Sequence, residues 1–335
     1  MSKITVALLN YNGKTHLKNY LPSVVQFSND HEIIVIDNGS TDGSVELLKS
    51  DFPSVRIITY SENYGFCGGY NKALKEITSE FVVLLNTDVQ VSEGWIEPIL
   101  KLMESDSNLA AVQPKILDLK KKTHFEYAGA SGGYLDILGY PFCRGRVFHT
   151  IEEDQNQYQE TQDVFWASGA SLFVRRSAYL EAGGLDEDFF AHMEEIDLCW
   201  RFWNLGYSVK VCPESVIYHL GGGTLDKSSP KKTYLNFRNG LNILLKNEKT
   251  ADLFWKFPIR LALDWLAIAQ FSILSGLPHG VAIIKAHFHF MRSIPCQMRK
   301  RKSALRVSKN NPRYKGLVIW DYFIRQKKTY GKINP

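Results

Sequence analysis

Amides and carboxylates recur in this sequence directly after apolar runs, where a buried strand would release them to solvent. Ile4–Leu9 leads into Asn10-Tyr11-Asn12-Gly13, and Val35-Ile36 into Asp37-Asn38-Gly39-Ser40-Thr41-Asp42. A third run, Leu84-Leu85, ends in Asn86-Thr87-Asp88. Two oxygen donors at i and i+2 on a strand-to-loop turn can hold a hard divalent cation, and such a cation would neutralise a diphosphate. An Asx turn is the plain alternative. Asp37 can accept from an N–H edge such as N3 of a pyrimidine, and it has no evident structural task. Asp42 reads as a helix cap at the positive end of the dipole. Glu62–Asn71 carries Gly65, Gly68 and Gly69, which let backbone turn tightly or approach a ligand.

A second group lies downstream. Glu194, Asp197 and Arg201 share a helical face, and Asp197 can pair with Arg201 at i, i+4. Glu194 and Glu195 are crowded acids at a helix start. Crowding raises a carboxyl pKa and can tune a general base; simple N-terminal helix charge is the alternative. His219 stands at a strand end before Gly221-Gly222-Gly223-Thr224, and beside an acidic metal site a His is not isolated.

Positioning such residues needs short, fully apolar strands alternating with helices. Strands are expected at Ile4–Leu9, Ile33–Ile36, Val55–Thr59, Phe81–Leu85, near 110–113 and over 166–175. Helices are expected after Asn12 with Leu17, Leu21 and Val25 inward, after Ser40-Thr41-Asp42, and near 70–78, 93–105, 194–205 and 230–247. Continuous apolar strands are buried on both faces, so the fold class is α/β with a mainly parallel sheet covered by helices. Ligands then gather beyond the carboxyl ends of the strands. Residues 118–165 read as loops and short strands.

The chain of 335 residues is 44% hydrophobic and 22% charged, which excludes disordered and collagenous classes. Five widely spaced cysteines without a CxxC argue against a disulfide scaffold or a structural zinc site. The N-terminus reads as a strand and not as a signal peptide. Residues 1–226 hold 18 basic against 31 acidic side chains, and residues 227–335 hold 22 against 4. Residues 251–298 are apolar but interrupted by Asp264, Gln270 and Lys285, so interfacial helices are expected in place of a spanning one. The basic cluster Met298–Lys302 would meet an anionic leaflet.

The ordered set LLNYN, VIDNGSTDGS, ENYGFCGGYN, LLNTD, WASGASLFVRR, GGLDEDFF with EEIDLCWR, and YHLGGG resembles glycosyltransferase family 2, the inverting GT-A enzymes, over residues 3–247. It is similar to the rhamnosyltransferase-like branch that builds bacterial surface polysaccharides. The resemblance implies a Rossmann-like GT-A domain over 1–247 and a basic helical region over 248–335. It implies that Asp37, with Asn10, Tyr11 and Asn12, binds the base of a UDP- or dTDP-linked sugar, and that Asn63, Gly65 and Asn71 line the nucleotide and sugar side. Asn86-Thr87-Asp88 occupies the place of the family's DxD motif for Mn²⁺ or Mg²⁺. Because its first residue is a neutral amide, Asp88 must carry more of the metal, completed by His219. Glu195 matches the catalytic base, with Trp166, Gly169 and Asp197 positioning the acceptor. A glycan or polyprenyl-linked glycan acceptor at the cytoplasmic face of a membrane, with anionic lipid beneath the tail, completes the expectation.

Asn86 also motivates a rival, a catalytically inactive sugar-nucleotide-binding protein. Binding to nucleic acid through the basic tail lacks any aromatic-interleaved motif. A nucleotidyltransferase would want a glycine-rich basic signature after the first strand, and LLNYNGK offers one glycine.

Overall fold

A computed structural model of the protein describes residues 3–221, 229–304 and 311–333. Its first part alternates as the apolar runs require: β1 (Ile4–Asn10), α1 (Lys14–Phe27), β2 (Glu32–Asp37), α2 (Ser44–Asp51), β3 (Arg56–Thr59), α3 (Gly65–Glu76), β4 (Phe81–Leu85), β5 (Val89–Val91), α4 (Glu97–Ser105) and β6 (Leu109–Asp118). Four short strands, β7 (Gly133–Leu135), β8 (Pro141–Cys143), β9 (Arg146–Val147) and β10 (Thr150–Ile151), form a separate antiparallel sheet. The chain then returns through β11 (Gln162–Asp163), β12 (Ser171–Arg175), α5 (Arg176–Glu181), α6 (Glu194–Leu205) and β13 (Ser208–His219).

The main sheet runs β3-β2-β1-β4-β12-β6-β13-β11, with β5 on β13. Strands β1 to β4 are mutually parallel, β12 is antiparallel to both neighbours, and β13 is parallel to β6. Burial on both faces explains the unbroken apolar runs. Ile4, Val6 and Leu8 enter one core with Phe81, Val83 and Leu85, while Ala7 enters the other with Val82 and Leu84. β1 sits between β2 and β4, so the loops after these strands open at one end of the sheet, where the order changes direction.

Two local expectations change. The glycine run is helix, not loop: α3 starts at Gly65. A Cβ on Gly69 would lie 2.6 Å from Leu9, so this glycine lets α3 pack closely on β1. Residues 166–170 are not strand but a turn, in which the Ala170 N–H donates to Ser168 Oγ and the Ser171 N–H to the Ser168 carbonyl.

The tail comprises α7 (Pro230–Asn247), α8 (Thr250–Leu274), α9 (Leu277–Ala304) and, at the end, α10 (Tyr330–Ile333). Contrary to the sequence expectation, α8 is long and apolar enough to cross a membrane by length and composition. Its charges do not break the apolar surface, because Lys256, Arg260 and Asp264 recur every fourth residue on one stripe. That stripe is buried. Lys256 pairs with Glu248 at 2.6 Å. Arg260 donates to Asp264 at 3.3 Å and to the Leu138 carbonyl at 3.1 Å, over the Tyr140 ring. The outer face carries Phe254, Trp265, Leu266 and Ile273, and α9 continues it with Ile284, Phe288 and Met291, all exposed. The charged stripe of α8 thus faces inward, while a set of large apolar side chains on both helices faces outward.

Packing crosses the boundary expected at 247/248. Val318, Tyr322 and Ile333 join the same core as Ile34, Val82 and Trp166, and the Val318 N–H donates to buried Asp136 at 3.1 Å.

Gly133 offers a test of the packing. A Cβ there would fall 2.0 Å from the Trp166 ring, which is itself fixed by an Nε1–H bond to the Tyr134 carbonyl at 3.1 Å. Gly133→Val is expected to cost at least ~1–3 kcal/mol by overpacking. Urea denaturation reads this as a lower midpoint, and an unchanged midpoint would refute the contact.

Candidate active site

At the carboxyl ends of β1 and β2, ladder pairing sets Asn10 beside Asp37. Asn10 Nδ2 donates to Asp37 Oδ1 at 3.0 Å and to Ser40 Oγ at 3.1 Å, and the Ser40 N–H donates to Asp37 Oδ2 at 3.0 Å. Asn10 Oδ1 is buried without a partner among the described residues. A Cβ on Gly13 would lie 2.5 Å from that oxygen and 3.6 Å from Thr87 Oγ1, so Asn10, Gly13 and Thr87 share one small space. Tyr11 projects beside them, 52% exposed. Asn12 takes a left-handed φ of 51° and accepts the Thr41 N–H at 2.8 Å. Asn63 Oδ1 accepts from Asn38 Nδ2 at 2.9 Å and from the Gly65 N–H at 2.8 Å. Asp42 accepts the N–H groups of Lys14 at 2.8 Å and Ser44 at 3.0 Å, but the N-cap position of α2 is Gly43, one residue later than expected.

A second corner forms where β5 pairs with β13, setting Val89 opposite His219. Asp88 Oδ1 lies 3.2 Å from His219 Nε2, and Glu126 Oε1 lies 3.5 Å from Nδ1. Burial works against a charged imidazole here, but bonding to Asp88 and Glu126 outweighs it and pushes His219 up to about 10. Burial likewise opposes the Asp88 carboxylate, and His219 reverses it to a net lowering. Half-buried Asn86 donates its N–H to the Ala170 carbonyl at 3.0 Å. Among the described residues no group of three or more His, Cys, Asp or Glu converges on one point. Asp88 and His219 are the two donors that this corner offers. Gly222, Gly223 and Thr224 of the motif after His219 lie outside the described residues.

The third corner is the start of α6. The loop before it holds three non-glycine residues at positive φ, Phe190, His192 and Met193, a costly conformation that persists only where the surroundings enforce it. Asn239 of α7 enforces it by donating to the carbonyls of Phe189, Ala191 and His192 at 3.2, 3.0 and 2.8 Å. Burial, then the neighbouring Glu195, drives Glu194 well above the usual carboxyl range. Burial pushes Glu195 up to about 7 against its backbone hydrogen bonds. Oε2 of each is unpartnered among the described residues. A Cβ on Gly169 would sit 3.8 Å from both Glu195 Cβ and Phe66 Cζ, so Gly169, Phe66 and Glu195 border one space.

Residues 5–180, more than half of the chain, match the family model for glycosyl transferase family 2. The chain belongs to that family. The N-acetylglucosaminyl-diphospho-decaprenol L-rhamnosyltransferase of Mycobacterium tuberculosis is 28% identical over 241 residues, 66% of this chain and 77% of that protein. A low-salt glycan biosynthesis hexosyltransferase of Haloferax volcanii is 23% identical, over 71% of this chain and 74% of that one. Among solved structures, S. aureus TarS 1–349 superposes with a TM-score of 0.56 at 14% identity, over 90% of this chain and 83% of that one. GalNAc-T7, solved with UDP, GalNAc and Mn²⁺, superposes with a TM-score of 0.56 at 15% identity over 73% of this chain, which spans about half of that structure. These likenesses establish the GT-A fold.

Within this glycosyltransferase, three expected site residues prove to be tied up in the fold. Trp166 is 2% exposed, lies under Gly133 and has spent its N–H on Tyr134. Asn71 donates to the Leu185 carbonyl and Glu187, and accepts from Tyr179 Oη and the Leu185 N–H, so it pins the loop before α6. Asp197 is 0% exposed; Arg201 at 2.7 Å, Lys246 at 2.9 Å and Asn247 at 2.8 Å take its oxygens. Lys246 also pairs with Asp186 at 2.6 Å, and Lys300 of α9 bonds Asp186 too. Asp37 has the structural task the sequence did not reveal, holding Asn10 and Ser40. Glu126 was missed altogether. It lies in an irregular segment with no periodicity, and its N–H bond to the Ile116 carbonyl on β6 brings it to His219.

Asp197→Asn is expected to destabilise the protein by ~3–5 kcal/mol, the scale for breaking a buried ion pair, as read by urea unfolding. Wild-type stability with only a raised acceptor KM would return Asp197 to the acceptor site.

Proposed function

We propose that this chain is an inverting glycosyltransferase that moves a sugar from a UDP- or dTDP-linked donor to a hydroxyl of a lipid-linked glycan in surface-polysaccharide synthesis. The observation that carries the reading is a carboxylate base raised to about 7, Glu195, at the same sheet end as the Asp88–His219 corner. The base of the nucleotide meets Asn10, Asp37 and Asn12, with Tyr11 as a stacking face; Asn10 Oδ1 supplies an unfilled acceptor. Asn63, Gly65, Asn86 and Thr87 border the diphosphate and sugar. Glu126 Oε1 lies 3.5 Å from Nδ1 of His219, whose Nε2 faces Asp88, so the ring is held between two carboxylates, and a cation at Nε2 would take the place of the proton there. When held by Asp88 and His219, Mn²⁺ or Mg²⁺ supplies positive charge that neutralises the diphosphate leaving group.

Glu195 takes the proton of the acceptor hydroxyl. Its raised pKa makes it a stronger base at neutral pH than an ordinary carboxylate. The hydroxyl oxygen attacks the anomeric carbon from the face opposite the diphosphate. As that bond forms, the bond to the diphosphate oxygen breaks, and the configuration inverts. Gly169 leaves room for the acceptor beside the base. The mycobacterial relative is named for an acceptor that is a diphospho-decaprenol glycan, and the apolar outer face of α8–α9 favours a lipid-borne acceptor here as well. That face, with the basic residues near Arg299, suits peripheral attachment at the cytoplasmic leaflet.

Calorimetric titration with UDP and dTDP is expected to give binding with Mn²⁺ or Mg²⁺ and loss of it with EDTA. Glu195→Gln should keep that affinity and lose roughly 10²–10⁴-fold in transfer. Because the base acts ionised, wild-type kcat/KM should fall about tenfold per pH unit below pH ~7, and a profile flat down to pH 5.5 would remove Glu195 as the base. Nucleotide binding without transfer to any lipid-linked glycan would favour the inactive binding protein that Asn86 suggests. For the attachment, Trp265→Glu combined with Leu266→Lys should abolish co-flotation with phosphatidylglycerol vesicles. Unchanged flotation would sink the hairpin as the anchor.

A further inference from the structure

A cavity of about 340 Å³ opens between α7 and α9, within the ~300–1,000 Å³ range of small-ligand sites. None of the Asp88, His219 or Glu195 side chains lines it; Arg238, Asn242, His289, Arg292, Ser293 and Asp188 do. Its charge is unbalanced. Arg238 donates to neutral groups, namely Asn239 Oδ1, Tyr234 Oη and the carbonyls of Asp188 and Phe189. Arg292 makes no ion pair among the described residues; its guanidinium lies over the Phe288 ring. The one carboxylate on the lining, Asp188, is engaged by Lys300 at 2.6 Å. The neutral polar groups are held in place: His289 Nδ1 bonds Tyr234 Oη at 2.7 Å, and Ser293 Oγ donates to Asn242 at 2.8 Å. Arg292 thus brings to the lining a guanidinium with no ion pair among the described residues, beside the positive charge of Arg238, and its planar N–H fork matches phosphate oxygens.

The surroundings say which phosphate. On one side, Arg238 and Asn239 bind the carbonyls of the strained loop that ends at Glu194 and Glu195. On the other, the lining residues of α9 are interleaved with Phe288, Met291, Ile294 and Met298, all exposed. The cavity therefore stands between the catalytic loop and the apolar outer face of the hairpin. An amphiphile with a glycan at one end, a hydrocarbon chain at the other and an anion between would match that sequence of surfaces.

We propose that this cavity seats the diphosphate of the lipid carrier that bears the acceptor glycan, an inference that rests on the lipid-linked acceptor proposed above. Arg292 holds the phosphate oxygens, joined by the remaining Nη1–H of Arg238, and the lipid chain leaves along Phe288 and Met291. The orientation of the glycan toward Glu195 is then fixed by the carrier as well as by the sugar.

The test uses the full chain in detergent with EDTA, so that binding through a cation at Asp88 is suppressed. Calorimetric titration with farnesyl diphosphate should give saturable binding. Arg292→Glu should weaken it at least tenfold, Arg292→Lys less, and farnesol should not bind. Equal affinity in wild type and Arg292→Glu would overturn the proposal. So would displacement of farnesyl diphosphate by an equal concentration of dihexanoyl phosphatidylglycerol, which would assign the cavity to a bilayer headgroup. The same Arg292→Glu protein is titrated with UDP and dTDP plus Mn²⁺, where its affinity should match wild type. Farnesyl diphosphate binding through Arg292 in a chain that binds no nucleotide would leave the cavity standing and remove the function; nucleotide binding and transfer to a soluble glycan, without farnesyl diphosphate binding, would do the reverse.

Discussion

Asp197 is a charge with no access to water, so it persists only if it is compensated where it sits. The compensation comes from three directions: Arg201 one turn along α6, and Lys246 and Asn247 from the end of α7. Lys246 extends the cluster to Asp186, which Lys300 of α9 reaches as well. Burial alone would raise Asp186; the two lysines hold it down at about 2. One cluster therefore joins α6, the loop before it and two tail helices. The first turn of that helix carries Glu195, and the strained backbone at His192 and Met193 persists because Asn239 of α7 caps it. The position of the proposed base therefore depends on the tail.

Much of the sheet was legible because its strands are buried on both faces. Phe81–Leu85 reads as five apolar residues and forms five buried ones. The helix over 230–247 was likewise legible from its pattern. Contacts that cross the sequence were not. The pairing of Asp197 with Arg201 follows from helical spacing, but Lys246 arrives from another helix, so a structural carboxylate was assigned to the acceptor. Asp37 lacked an evident task only because its partner Asn10 is adjacent across a ladder and not along the chain. Glu126 carries no local signal of any kind. Gly68 and Gly69 looked like loop glycines because a helix pressed on a strand and a loop near a ligand ask for the same missing side chain.

The tail shows how a polar interruption can be misread when only its frequency is counted. In α8 the charged residues fall every fourth position, so they gather on one stripe and leave the rest of the cylinder apolar. Turned inward, the stripe finds Glu248, Leu138 and Tyr140 as partners. Of the remaining surface, Leu253, Phe257 and Leu261 pack on α7 and α9, while Phe254, Trp265, Leu266 and Ile273 stay exposed. An ordinary soluble helix reverses this arrangement.

The segment around Val318 and Tyr322 closes the same core that β2 and β4 begin. The apolar hairpin is synthesised before it, so the oily surface is in the cell while the core still lacks its final residues. Under the proposed membrane attachment, a bilayer would compete with chaperones for the nascent chain during that interval, and closure of the core would be tied in time to attachment.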